Sequence, residues 1–221
     1  VLRLIPEVHK VVKETEIMLL RNRIFLDRMQ GVGVLTKEQA LSYGCTGPVA
    51  RSTGIPYDVR KDHPYLVYDR FDFDVPIGED GDNWDRFMVR LEEIRQSIRI
   101  IEQAPEQMPD DGPVNVDDPR IVYPDKKDVY TTIEATIAHF KLVMEGLRVP
   151  KGEVYSFTEG GNGELGFHIV SDGSGTPYRV RVRPPCWYNL AASREMLLGG
   201  MIADIIPTFG SVNMIGGECD R

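Results

Sequence analysis

Three thiols, four imidazoles and two unusual stretches hold most of the side chains that could do chemistry in this 221-residue chain. Cys45, Cys186 and Cys219 are odd in number, far apart and free of any C-x-x-C spacing. Neither a disulfide framework nor a zinc site follows, and a reducing compartment is the simple consequence. His9, His63, His139 and His168 are scattered, with no H-E-x-x-H pair. His139, beside Phe140 on a helical stripe, reads as a structural histidine. "GNGELG" (161–166) matches G-x-G-x-x-G, but the dinucleotide fingerprint needs a strand before it and a helix after it. Here a strand pattern follows, and Arg179, Arg181 and Arg183 stand where a ribose-binding acid belongs, so the segment reads as a glycine turn. "EDGDNWD" lacks the alternating oxygen ligands and distal glutamate of a calcium loop, and reads as a turn plus a helix cap. No G-x-S-x-G, Ser-His-Asp order or Cys–His pairing occurs. Spacing alone nominates no self-contained active site.

Two stretches remain. "GCTGPVARSTGIPYDVRKDHPY" sets Arg51, Asp58, Arg60, Lys61 and Asp62 among glycines, prolines and tyrosines. Charges in so constrained a loop meet either one another, as an internal ion-pair network, or a partner. The second stretch is the C-terminal "GSVNMIGGECDR", where glycines crowd Met214 and Ile215. A free tail is usually polar and dispensable, whereas this one has the composition of something packed.

These residues need elements to position them. Apolar residues recur at helical spacing from Ile5 to Met29, which predicts one helix ended by "QGVG". "TKEQALSYG" predicts a short helix capped by Thr36 and stopped by Gly44. Residues 45–81 show little periodicity, and a loop of that length is usually functional or bound to something. The clearest helix spans about Asn83 to Ala104, with Asp82 as its N-cap and Arg86, Arg90, Arg95 and Arg99 off the apolar stripe, as a solvated face or a partner surface. A Pro/Asp-rich loop leads to a helix over 129–146, with Tyr130, Ile133, Ile137, Phe140, Met144 and Leu147 on one side. From 152 to 183 the pattern alternates or is β-branched, which predicts a small antiparallel sheet with "SDGSGTP" as a hairpin connection. A last helix is expected over 193–206. The fold class is α+β, mainly α.

Composition narrows the function. The chain is 42% hydrophobic and 27% charged, as globular proteins are. Its net charge of −8 argues against general nucleic-acid binding, which requires a basic footprint. No apolar run approaches a bilayer span, and "VLRLIPEVHK" is no signal peptide. Val1 is not Met and the chain starts inside a helical pattern, as a fragment or a processed product would.

"TGPVARSTGIPYDVRKDHPYLVY", "TIEATIAHFKLVMEGLRVPKGEVY", "GELGFHIVSDGSGTPYRVRVRPP" and "GSVNMIGGECDR" resemble the D (49-kilodalton) subunit family of NADH:quinone oxidoreductase, respiratory complex I. The resemblance covers essentially the whole chain and is to the later half of that subunit. It implies a helical bundle of the NiFe-hydrogenase large-subunit type. It implies a single C-terminal domain over 1–221: helical to 150, a sheet over 152–183, and a C-terminal helix with a buried tail over 186–221, the subunit's N-terminal half being absent. Hydrogenases of that lineage hold their metal pair with a C-terminal Asp-Pro-Cys-x-x-Cys. Over that pattern lie Asn213, Met214, Ile215 and Glu218, with Cys219 one place out of step. The thiolates that nickel and iron need are missing, so no metal is expected here.

By the same resemblance, quinone is the substrate, reduced between this subunit and a small neighbouring subunit that carries the terminal iron–sulfur cluster. NAD and the iron–sulfur clusters belong to partner subunits, and no cofactor is expected on this chain. The principal headgroup ligands are expected in the missing half, so the catalytic residues are unknown, and Asn213, Met214, Ile215 and Gly216 become the candidates for the quinone-cavity wall. The subunit would be inactive alone, would belong to a proton-translocating complex, and would sit peripherally on the cytoplasmic face of a bacterial inner membrane, or the matrix face in mitochondria. Its membrane contact would run indirectly through the membrane arm. Four departures stand out. Asn213 replaces the family's usual Asp, Gly216 its Phe, Asn162 a basic residue, and Trp187 a common Phe. They keep open a non-catalytic scaffold paralogue, beside the alternative of a NiFe-hydrogenase-like large subunit.

Overall fold

Hydrophobic period sets where helices run, and local hydrogen-bond chemistry sets where they stop. The computed structural model describes residues 2–109, 111–113 and 115–220. Helix α1 (Ile5–Leu19) is followed by a separate α2 (Arg23–Met29). The single helix expected over 5–29 is broken because the Asn22 side chain accepts the amides of Ile24 and Phe25 and so restarts the helix. Helix α3 (Lys37–Tyr43) has a full capping box between Thr36 and Gln39 and ends on Gly44 in the left-handed region.

The 45–81 segment contains two single-turn helices, α4 (Pro48–Arg51) and α5 (Val59–Asp62). It is tied down by backbone bonds from Gly78 to Arg51, from Gly81 to Ser52 and from Leu35 to Gly81. The long helix α6 (Asn83–Gln107) begins where the Asp82 carboxylate accepts the Asp85 amide at 2.8 Å. Its arginines are a solvated face only in part, at Arg95 and Arg99. Arg86 is fully buried, Arg95 pairs with Glu16 and Glu92, and Arg99 with Asp72 and Asp74.

The helix expected over 129–146 is α7 (Lys126–Thr131) and α8 (Ile133–Met144), divided at Thr132, which is extended and caps α8 through its hydroxyl. Strands β1 (Gly152–Gly160), β2 (Gly163–Ser171) and β3 (Arg179–Arg183) form the three-stranded antiparallel sheet in that order. A helix the periodicity did not announce, α9 (Pro185–Ala191), opens on a proline, where a missing amide costs nothing. The helix expected over 193–206 stops as α10 (Ser193–Leu197), because Gly199 adopts a φ of +84°. The chain resumes as α11 (Ile205–Val212) and ends with the single turn α12 (Gly216–Cys219).

Contacts group the residues into two compact units: Val1–Gln107 with Phe157–Gly166 and Arg183–Arg221, and Met108–Ser156 with Phe167–Val182. The division falls inside the helical segment 1–150 and inside the sheet segment 152–183, and leaves 186–221 whole. In the first unit, Leu35, Ala40, Cys45, Val49, Ala50, Ile55, Ala192, Met196 and Val212 form one buried cluster. Phe25 meets Phe87 edge-on at 5.2 Å and Trp84 at 6.4 Å. In the second unit, the apolar stripe of α7 and α8 is exposed along its length. Among the described residues no helix is long and apolar enough to cross a membrane.

Candidate functional site

The charged loop folds inward. Arg51, at the end of α4, is 2% exposed and meets three carboxylates: Glu159 at 2.9 Å, Glu93 through Nε at 2.9 Å, and Asp58 at 3.6 Å. Asp58 takes a two-point grip from Arg60 at 2.9 and 2.6 Å, and its carboxylate also accepts the Arg60 amide that starts α5. Lys61 takes no part in these ion pairs, and its ammonium lies 4.2 Å from the centre of the buried Phe73 ring, over which the Arg60 guanidinium also sits at 5.0 Å. Burial pushes the Asp58 carboxyl up, but the hydrogen bonds and charges of Arg60 and Arg51 outweigh it and hold it below the usual range. Burial raises Glu159 above the usual range, and the charge of Asp58 adds to that against the opposing pull of Arg51.

The tail behaves differently. Within this chain the last residues are covered only in part. Ser211 and Val212 are buried, but Asn213, Ile215, Gly216 and Gly217 are exposed in this chain, and Met214 is half-buried. The chain supplies fixings for the tail's two ends and no cover for its middle.

At the root, Asn213 takes a left-handed φ of +56° and ends α11. Its Nδ2 donates to Asn162 Oδ1 at 2.9 Å. Two of the positions that depart from the resemblance therefore meet as a neutral amide pair. Asn162, on the β1–β2 turn, also donates to Cys186 Sγ at 3.3 Å, and Cys186 Sγ accepts the Ile215 amide at 3.4 Å. Further along, the Glu218 carboxylate accepts the Cys186 amide at 2.9 Å in the first turn of α9, where negative charge is favoured. The segment 213–217 is an arch with both feet held.

Two arginines of α6 serve the first foot. Arg86 Nε donates to Ser211 Oγ at 2.9 Å, and its other nitrogens go to the carbonyls of Gly81 and Gly33 and to Asn83 Oδ1. Arg90 Nη1 donates to the carbonyl of Ser211 and Nη2 to that of Val212 at 3.2 Å. Burial, with Arg90 close by, pulls Arg86 down to about 10. Beside the arch, a cleft of about 540 Å³ is walled by Leu4, Ile5, Val8, Ile94, Ile98 and Ile101, while Arg90, Glu93 and Asn213 supply polar groups. That combination suits an elongated, mostly apolar molecule with a polar end.

Two of the three thiols are held in their neutral form. Burial pushes the Cys45 thiol up to about 12, and burial with the Glu218 hydrogen bond pushes Cys186 up to about 11. The thiolate that binds metal or attacks is not favoured at either. Among the described residues no group of three His, Cys, Asp or Glu side chains is arranged to hold a metal ion.

Of the residues singled out from sequence, Arg51, Asp58 and Arg60 come together, Lys61 does not join them, and Asn213 reaches the cleft. Arg86, Arg90, Cys186 and Glu218 escaped that reading. An Arg pair at i, i+4 looks like a wet helix face, and nothing in residue type announces that its partners are backbone carbonyls.

The whole chain, residues 1–221, matches the family described as the respiratory-chain NADH dehydrogenase 49 Kd subunit. It is 66% identical over 211 residues to the first D-type subunit of the NADH-quinone oxidoreductase of Sorangium cellulosum, which covers 96% of this chain and 52% of that protein. It is 56% identical over 224 residues to the D-type subunit of the NADH-quinone oxidoreductase of Myxococcus xanthus, covering 98% and 54%. Identity to the corresponding protein of Leptospira biflexa is 49% over 207 residues, covering 94% and 51%. The chain spans about half the length of the curated relatives it matches.

Proposed function

The chain belongs to the family of the 49 Kd subunit of respiratory-chain NADH dehydrogenase, and from that premise we propose that it serves in a multi-subunit NADH:quinone oxidoreductase as part of the quinone-reduction site. Residues 213–216 form a stretch of the cavity wall. Electrons arrive from an iron–sulfur cluster on the neighbouring small subunit, NAD is handled elsewhere in the complex, and the reduction is coupled to proton translocation. The chain contributes shape and apolar contact: Met214 and Ile215 offer surface to a ring or an isoprenoid chain, and Asn213 offers an uncharged amide. It sits peripherally, on the cytoplasmic face of a bacterial membrane.

The observation that carries this reading is the arch. A segment held at both ends by part-buried hydrogen bonds, yet largely exposed along its middle, suits a wall completed by another polypeptide. Cover is what exposed apolar residues at a fixed position call for. The neutral Asn162–Asn213 pair is compatible with an uncharged substrate.

Gly216→Phe tests it in the assembled complex. A Cβ at Gly216 meets nothing within 4 Å, so the substitution starts into open space. The expected result is that a quinone-site inhibitor binds about tenfold more weakly, the size of a modest overpacking penalty. Unchanged inhibitor affinity rejects the placement. Complete absence of inhibitor binding in both the unaltered and the altered complex favours the scaffold reading instead.

A further inference from the structure

We propose that Arg90 is the positioning residue of the tail wall, fixing where residues 213–216 stand against the substrate. The inference rests on the quinone-wall reading above and adds to it a residue on a different helix.

The last carbonyls of a helix have no partner within it and carry the negative end of its dipole. At the end of α11 those carbonyls belong to Ser211 and Val212, and both accept from the single guanidinium of Arg90. The same guanidinium donates to the Arg86 carbonyl on its own helix at 3.2 Å. A rigid planar fork spanning two successive carbonyls fixes both the position and the rotation of the last turn, which a single ammonium cannot do. Asn213 follows immediately in its left-handed turn, so any tilt of Val212 swings the whole arch.

Economy points the same way. Arg51, Arg95 and Arg99 are matched by carboxylates. Among the described residues, Arg86 and Arg90 form no ion pair, and Arg90 Nε is buried with no hydrogen-bond partner. A guanidinium without a direct ion pair, helped only at a distance by Glu93, and an unmet donor are costly inside a protein. Apolar side chains of similar volume would avoid that cost. What Arg90 supplies that they would not is defined geometry at the arch's foot. It also shares the apolar cleft with Asn213, so the fork and the wall border one space.

The experiment uses the full-length subunit in the assembled complex. Arg90→Lys, Arg90→Gln, Ile215→Ala and the double variant Arg90→Lys/Ile215→Ala are compared for quinone KM and kcat. NADH oxidation by a hydrophilic one-electron acceptor that bypasses quinone reports the rest of the machine. Arg90→Lys is expected to raise quinone KM about tenfold while the bypass rate is unchanged, because only the wall has moved. Arg90→Gln is expected to go at least as far. Ile215→Ala is expected to raise KM as well, and the double variant to be no worse than the poorer single one, since both act through one wall.

Effects that multiply in the double variant overturn the proposal, and so does an unmoved KM in Arg90→Lys. If Ile215→Ala raises KM while Arg90→Lys does not, the positioning role fails and the wall reading stands. If Ile215→Ala leaves KM unchanged, the wall reading itself fails. Failure of the charge-retaining Arg90→Lys to assemble also counts against positioning, because it marks a residue needed for the fold.

Discussion

Arg51 shows how burial sorts identical chemical groups into different behaviours. Two cations, Arg51 and Arg60, share a small volume with three carboxylates, Asp58, Glu93 and Glu159. Asp58 receives the strongest grip and stays ionised, whereas Glu159, deep beside it, is pushed towards its protonated form. Removing the central cation strands the acids, so Arg51→Met is expected to destabilise the full-length subunit by about 3–5 kcal/mol. The pH dependence has two signs. Asp58, depressed below its ordinary 3.8, contributes stability that is present above that value and is lost as pH falls through its lower folded pKa. Glu159, raised above its ordinary 4.5, does the reverse: its ionisation removes stability as pH rises from 4.5 through its higher folded pKa. Urea unfolding of Glu159→Gln beside the unaltered subunit should therefore move in the variant's favour as pH goes from about 4 to about 7. A difference that is flat across that range would mean that Glu159 is not strained.

Between elements, α4's leading turn packs tightly against the β1–β2 turn. Gly47 precedes α4 with a φ of +69°, and a Cβ there would stand 2.4 Å from the Asn162 carbonyl oxygen and 2.6 Å from Gly163 Cα. Both obstacles are backbone, so neither rotates away. Gly47→Ala is expected to cost roughly 2 kcal/mol or more in urea unfolding, from left-handed strain plus the clash. Gly161→Ala, with nothing within 4 Å, should be nearly silent. How much of this was legible follows from where each signal lives. "TKEQALSYG" carries both caps of α3 in its own letters, and the three–four spacing of Trp84, Phe87, Leu91 and Ile98 is enough to announce α6. The breaks at Asn22 and Thr132 were hidden because the apolar stripe runs straight through them, and only the side-chain caps decide there. Asn162 and Asn213 could each be seen to depart from the resemblance, but their meeting across 51 positions needs the fold. Arg86 and Arg90 could be read from sequence only as a solvated face or a partner surface, because carbonyl partners leave no trace in residue type.

At the scale of the whole chain, what remains uncovered is as informative as what is buried. On α8, Ile133, Ile137 and Phe140 step by four and three, the spacing of a core stripe. Yet Ile133 is 74% exposed, Phe140 is 59% exposed, and no residue of α8 is buried. A sequence patterned to bury a stripe, in a chain spanning about half the length of its curated relatives, calls for cover from the rest of the assembly. Each such side chain is worth about 1.5–3 kcal/mol when fully buried. Ile133→Glu/Phe140→Glu turns that gain into a penalty for whatever closes over the face. Glutamate is a good helix former, so α8 itself should survive. In solution the 221-residue chain carrying the pair should self-associate less than the unaltered chain in light scattering. In cells making the full-length subunit, recovery of assembled complex should fall by about tenfold or more, since two lost burials exceed the 1.4 kcal/mol that a factor of ten requires. Equal recovery of the variant and the unaltered subunit would mean that this face stays open to water in the assembly, and that its helical stripe serves no contact.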